Sequence, residues 1–382
     1  MKLSALALVC LLSACGGGSS SSESNTDNGN NNGGNGGETT ETIESQLAKW
    51  LVDMADNYVV PAYTDLESSA VALQQSALTC SDSNFDQMAL ESIQQQWLLA
   101  FNQWQTIQWL KLGPVVDDSR FFRLQFFPDE NEAVSRGVTR LLGEQDTVTV
   151  DFVTSNNVGG QGFPALELLL FPVNDSDSLI NASDKDKRCE VVQAVTSNIA
   201  NISSELTTAW SVQGDNYRQQ FVDGTGEFTG KIDVVEEVVT IYLENLELVK
   251  DEKLLIPLAT EKPGLPAIAE SAISDTSLRH IKTNLQSLKD IYTAKNGHGF
   301  DDILNNFLEQ TSIATQMSDA LNAAISALEL LSGSYTEALN NDEKRVMLDN
   351  AINALRDFRT VLTADFVQAM DLNIGFNAND GD

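Results

Sequence analysis

The stretch GGQGFPALELLLF, residues 159–171, runs a glycine-rich loop straight into an apolar segment that holds one carboxylate, Glu167. Its glycines let the backbone approach another element closely, and Pro164 suits the first turn of a helix, where its missing N–H costs nothing. The pattern predicts a helix beginning near Phe163 with Glu167 at the end of its first turn. There the free backbone N–H groups and the helix dipole favour a negative charge. Two readings of Glu167 stand side by side: a favourable first-turn acid beside a buried apolar run, or a carboxylate turned toward a cation or ligand.

Outward from this segment most of the chain reads as helix. Ile43, Leu47, Trp50, Leu51 and Met54 share one face at helical spacing, as do Val235, Val238, Val239, Tyr242, Leu246 and Val249. The same period links Leu278, Ile281, Leu285, Leu288 and Tyr292, and again Ile313, Met317, Leu321, Ala324, Leu328 and Leu331. Trp97, Phe101, Trp104, Ile107 and Leu110 form an aromatic stripe that reads as bundle core rather than as a cofactor box. Strand signals are nearly absent, and TVTVDFV, residues 147–153, is read as a connection. Breaks are expected at YVVPAY around Pro61, at KLGPVVDD, FPDEN, the Gly159 loop and FPVNDSD, and then at VQGDN, DGTGEFTG, TEKPGLP and KNGHGF. Each half then holds about four substantial helices joined by short loops, the pattern of antiparallel bundles. The expected class is all-α, with two four-helix-type bundles, residues 43–212 and 213–382, and a cleft between them.

The first fifteen residues decide the compartment. Lys2 precedes an apolar run, residues 3–12, too short to span a bilayer, and LSAC follows. This is the form of a bacterial lipoprotein signal peptide, residues 1–15, in which Cys15 becomes the lipidated N-terminus. Gly16 follows in place of the Asp that holds such proteins in the inner membrane. The expectation is an outer-membrane lipoprotein facing the periplasm, with surface display the alternative. Residues 16–42 are rich in Gly, Ser and Asn, hold almost nothing able to pack, and read as a flexible tether. Roughly 340 residues remain, enough for two domains of ordinary size.

Cys80 and Cys189 are the cysteines left in the folded part. In an oxidising compartment they read as a disulfide, the alternative being two separate buried thiols. The formal net charge is −32, from 55 acidic and 23 basic residues. Such a field argues against nucleic acid or anionic lipid head groups as partners. With two histidines in the whole sequence, a histidine-rich metal site is excluded. Any metal would be held mainly by oxygen, which points to iron or another hard cation.

The opening stretch resembles the signature region of the imelysin family, whose best-known motif is Gly-x-His-x-x-Glu. Gly162, Phe163, Pro164, Ala165, Leu166 and Glu167 follow it except that Pro164 stands in the histidine slot. NYVVPAYTDL, WLLAFNQWQTIQWLKLGPV, RFFRLQFFPDEN, KLLIPLATE, AESAISDTSLRHIKTNLQSLKDIY and GFNANDGD are similar to the branch of imelysin-like predicted lipoproteins, which often carries a Gly-x-Pro-Ala-Leu-Glu form. The resemblance runs from about residue 45 to the end. It implies an all-helical fold of two four-helix-type bundles, the signature helix at the cleft where they meet, and a link to iron uptake alongside iron-transport components. An older peptidase label for the family takes the signature His and Glu as metal ligands. Proline offers no such ligand, and neither HExxH nor a Gly-x-Ser-x-Gly elbow is present, so zinc-peptidase chemistry is disfavoured.

Further candidates come from loops expected to meet the Gly159 loop. Arg120 and Arg123, with Asp129, offer charge near chain breaks, where ordinary ion pairing is the alternative. Glu270 and Ser271 are expected to approach the cleft from the second half, where a helix-start cap is the alternative. Asn377, Asn379, Asp380 and Asp382 make a short run of oxygen donors that is not an EF-hand and reads as a terminal turn. The expected ligand set is Gly162, Phe163, Pro164, Glu167, Arg120, Arg123, Asp129, Glu270 and Ser271, with Glu167 as the metal ligand if a metal binds. The expected role is binding of a small ligand or metal ion in iron uptake, with no catalytic residue assigned. Its rivals are a metal-dependent peptidase and a scaffold or adhesion protein.

Overall fold

The computed structural model describes residues 41–374, and Cys15, the tether through residue 40 and the terminal GFNANDGD run lie outside them. The described residues are helical, with no strand among them. The principal helices are α1 (Ile43–Asp53), α2 (Val60–Leu78), α3 (Gln87–Ile107), α4 (Ala133–Leu142), α5 (Val150–Ser155) and α6 (Phe163–Leu170). They continue as α7 (Lys185–Trp210), α8 (Lys231–Glu247), α9 (Ser277–Tyr292), α10 (Thr311–Glu329) and α11 (Asp342–Val361).

The apolar stripes read from sequence become the packing faces. α2 lies along both α3 and α7, α10 lies along both α9 and α11, and α3 meets α9. The N-terminal α1 packs on α8, so its Trp50 and Leu51 are sealed from solvent with Val235 and Val238. The aromatic stripe of α3 is core throughout: Trp97, Phe101, Trp104 and Ile107 are at most 1 % exposed. Each buried ring removes large apolar area from water, on the order of 2–3 kcal/mol apiece.

Two local expectations are corrected. Pro61 does not end a helix, because the chain stays helical from α1 through a π-helical turn, Met54–Val59, into α2, with Pro61 in the first turn of α2. Proline lacks the N–H and crowds the preceding turn of an α-helix, and the wider π turn takes up that mismatch. Part of the 147–153 segment is also helix rather than connection. Thr149 accepts a hydrogen bond from the Phe152 N–H and so caps α5.

Cys80 and Cys189 form a disulfide, with Cα atoms 5.6 Å apart across 109 residues of sequence. It fastens the chain just beyond α2 to the start of α7, on the same pair of helices that pack along their length. Closing so long a loop restricts the unfolded chain strongly. Replacing both cysteines by alanine is expected to cost about 2–4 kcal/mol, read as a lower urea midpoint. Non-reducing peptide mass spectrometry should recover the two cysteines in one linked species, and two freely alkylated thiols would refute the bridge.

Candidate functional site

The signature segment is held by close backbone contact. A β-carbon at Gly162 would collide with the Leu124 carbonyl oxygen, and one at Gly159 would strike the backbone of Ala133 at the start of α4. This contact presses α6 against α4 and against the chain that follows the short helix Arg120–Leu124. Phe163 opens α6, stacks on Phe101 at 4.8 Å, and its carbonyl accepts a 3.0 Å hydrogen bond from Trp97 Nε1. Phe163 and Gly162 therefore form the buried backing of the site.

Glu167 does not sit in the first turn of α6. It is the fifth residue, beyond the free N–H groups of its own helix start. Its partner is distant in sequence: Oε1 accepts from the Ser274 N–H at 2.8 Å and from Ser274 Oγ at 2.7 Å. The carboxylate is 6 % exposed. Burial pushes its pKa up, the Ser274 hydrogen bonds oppose this, and the Glu270 charge adds to it.

Beneath it lies a buried polar cluster that the sequence did not announce. Glu270 Oε1 accepts from Lys253 Nζ at 2.9 Å, from Gln105 Nε2 at 3.2 Å and from Gln125 Nε2. The Lys253 ammonium also donates to Gln105 Oε1 at 2.9 Å and to Asn284 Oδ1 at 2.8 Å, and its side chain is 0 % exposed. The π-helical turn Leu248–Leu255 carries Lys253 inward, and Tyr335 Oη fastens its carbonyl at 2.8 Å. Burial works against charge on both members of the pair. For Glu270 that cost is overcome by Lys253, then His280 and Gln105, and its pKa falls below the usual carboxylate value. The Lys253 pKa is lowered by burial despite Glu270.

Ser271 carries a left-handed backbone, φ 55°, and its hydroxyl lies 3.0 Å from His280 Nδ1. Glu270 Oε2 faces that same nitrogen at 3.7 Å and, among the described residues, has no hydrogen-bond partner. His280 is fully enclosed, and its Nε2 likewise has no partner among the described residues. Because Ser271 and Glu270 share one imidazole nitrogen, the three do not form a serine-hydrolase relay, which needs both nitrogens. Burial lowers the His280 pKa to about 4, against the pull of Glu270, so the ring is neutral at pH 7.

A cavity of about 570 Å³ opens over this floor, within the usual range for small-molecule sites. Pro164, Glu167, Asp129, Glu270 and Ser271 all line it. Phe126, Phe127, Leu168 and Ile256 supply apolar wall. Asp129 serves structure as well, since its two carboxylate oxygens accept from the Ala133 and Val134 N–H groups at 2.7 and 2.9 Å and cap α4.

The two arginines do not line the cavity. Arg120 pairs with Glu205 at 2.9 Å, donates to the Pro114 carbonyl, and borders a different hollow with Asn201 and Thr208. Arg123 donates to Gln161 at 2.8 Å and to Asn198 at 2.9 Å, tying the loop before α6 to α7 from behind. Among the described residues no group of three or more His, Cys, Asp or Glu side chains is arranged to hold a metal ion.

The Imelysin family model matches residues 59–362. No curated protein matches. Among solved structures, an imelysin-like protein from Psychrobacter arcticum 273-4 is 19% identical with a TM-score of 0.72, over 88% of this chain and 98% of that one. A protein from Parabacteroides distasonis ATCC 8503, named an iron-regulated protein A precursor, is 15% identical with a TM-score of 0.67, over 87% of this chain and 97% of that one. At these identities the likeness is one of fold.

Two measurements probe the polar floor. Lys253→Met leaves a buried carboxylate unpaired and is expected to cost about 3–5 kcal/mol, with much of the loss recovered in Lys253→Met/Glu270→Leu. Equal destabilisation by the single and double variants in urea titrations would contradict that coupling. His280 has a folded pKa below its unfolded value. Its contribution is therefore fully present above about pH 6.5 and is lost as pH falls toward 4, roughly 3 kcal/mol in all. His280→Gln should flatten the stability profile between pH 7.5 and 4.5, and an unchanged profile would remove His280 as its source.

Proposed function

The chain belongs to the imelysin family, and from that premise we propose that it is a binding protein whose cavity takes up a small ligand or a cation in iron acquisition. The observation that carries this reading is the pair of nearly buried carboxylates, Glu167 on α6 and Glu270 before α9, on one cavity of about 570 Å³. Burying a carboxylate is costly, and two facing one cavity are compensated further when a cation or hydrogen-bond donor binds between them. Apolar walls beside these few polar groups suit recognition of a discrete molecule. The iron connection is supported by the naming of the Parabacteroides distasonis protein, whose fold this chain shares.

Non-catalytic binding is favoured by the chemistry of the site. Pro164 lines the cavity where a signature histidine would stand, and the Ser271, His280 and Glu270 geometry gives no activated nucleophile. Anchoring by a lipid at Cys15, with the folded part facing the periplasm, completes the proposal. It agrees with the apolar leader and polar tether. No described helix is long and apolar enough to cross a membrane. The division into bundles at residues 212 and 213, with the cavity at their junction, is part of the same proposal.

Thermal unfolding and calorimetry with ferrous, ferric and calcium ions and with iron chelates of the siderophore type test this reading. A ligand present at a hundred times its Kd stabilises the native state by about 2.7 kcal/mol, a readily measured shift in midpoint. Glu167→Gln preserves shape and should weaken the binding at least tenfold while leaving the helical signal intact. A protein whose midpoint none of these probes moves would be better read as a scaffold.

A further inference from the structure

We propose that the ligand of this cavity is an organic cation, an ammonium or guanidinium group carried on an apolar or aromatic body; this rests on the binding reading above and names its ligand class. The charged lining is of one sign. Glu130, Glu132 and Glu252 stand around the two inner carboxylates, and among the described residues no lysine or arginine lines the space. A single-sign pocket with low-dielectric walls concentrates the opposite charge. Acidic residues alone would describe any solvated face of this chain, but Glu167 adds an independent sign of a missing partner. It is 6 % exposed, forms part of the lining, and takes its hydrogen bonds from the neutral N–H and hydroxyl of Ser274, with no cation paired to it among the described residues. Native structures rarely bury a carboxylate without a cation to pair it.

The space and its walls select among cations. A bare hard ion needs a convergent oxygen set, about six to eight at 2.3–2.6 Å for calcium and about six at shorter distances for magnesium. Among the described residues no three acidic or imidazole side chains converge in that way. A cavity of about 570 Å³ is far larger than an ion, and Phe101, Phe126, Phe127 and Ile256 give it apolar and aromatic wall. The protein already displays the pairing in miniature: the Lys253 ammonium lies 2.9 Å from Glu270 Oε1 and 5.8 Å from the centre of the Phe127 ring. A ligand ammonium above the same floor would meet carboxylate and ring together, the combination that recognises organic cations elsewhere. Burial also pushes up the Glu167 and Glu252 pKa values, helped by the charge of Glu270 on the first and of Asp251 and Glu130 on the second, the strain that a bound cation relieves.

The test uses three probes of one shape: 4-phenylbutylamine, 4-phenylbutanol and 4-phenylbutyrate, with calcium and ferric ions alongside, in calorimetry and thermal unfolding of the folded, exported chain. The amine should bind at least tenfold more tightly than the alcohol, the carboxylate should not bind, and the advantage should shrink as salt rises. Glu167→Gln should cut amine affinity at least tenfold, and Glu252→Gln, at a half-exposed position, should weaken it without disturbing the fold. Alcohol or carboxylate binding as tightly as the amine overturns the ligand class while the binding reading stands, as does a response to the metal ions alone. If no probe binds, the ligand class falls, and the binding reading is then decided by the ferrous and siderophore-type probes named above.

Discussion

The buried ion pair between Lys253 and Glu270 is the constraint around which the site is arranged. Neither charge reaches solvent, so each must find its compensation inside the protein or cost several kcal/mol. Lys253 has three donor directions and spends them on Glu270, Gln105 and Asn284. Those partners come from α3, from α9 and from the segment before α9. One ammonium thereby fixes the relative register of three parts of the chain. Gln125, from the stretch after the short helix Arg120–Leu124, adds a fourth through its hydrogen bond to Glu270. Such a network tolerates little displacement, because any lost bond exposes a charge to a medium that cannot solvate it.

From this anchor the cavity wall follows. With Glu270 fixed, Ser271 takes its left-handed backbone against His280, and the chain turns so that the Ser274 N–H and hydroxyl both reach Glu167. Glu167 is held from the other side by α6, whose place depends on the absence of a side chain at Gly162. The two inner carboxylates are thus positioned by separate devices, a salt-bridged polar floor and a glycine-backed helix, joined through Ser274.

Much of the fold was legible because it rests on local periodicity. The stripes of α1, α3, α8, α9 and α10 bury the residues their spacing selected, apart from the half-buried Ile43 and Ile313. The start of α6 at Phe163 also followed from Gly162 and Pro164 alone. The site was legible only in part, because its interactions are long-range. Ser274 lies 107 residues from Glu167, and Gln105 lies 148 from Lys253. No spacing rule connects positions so far apart. Lys253 sits in a run of mixed charge and looks like a solvated lysine, yet a π-helical turn directs it inward. Gln105 gives a faint signal, a polar side chain adjoining the most aromatic face in the chain. Arg120 and Arg123 were misleading for the opposite reason: arginines near chain breaks find local acceptors, and here those acceptors lie behind the site.

Pro164 gives the Glu167 carboxylate its present meaning. In a Gly-x-His-x-x-Glu helix, imidazole and carboxylate three residues apart project from one face and can share a metal. With proline there, the ring adds apolar surface to the cavity instead of a donor, and fixes the first turn of α6 at little cost. Glu167 then has two neutral donors from Ser274 on one oxygen and no charged partner of its own. Neutral hydrogen bonds orient a carboxylate without cancelling its charge. The site consequently keeps an oriented negative group beside apolar walls, an arrangement suited to recognising a charge that arrives with the ligand rather than one held permanently by the protein.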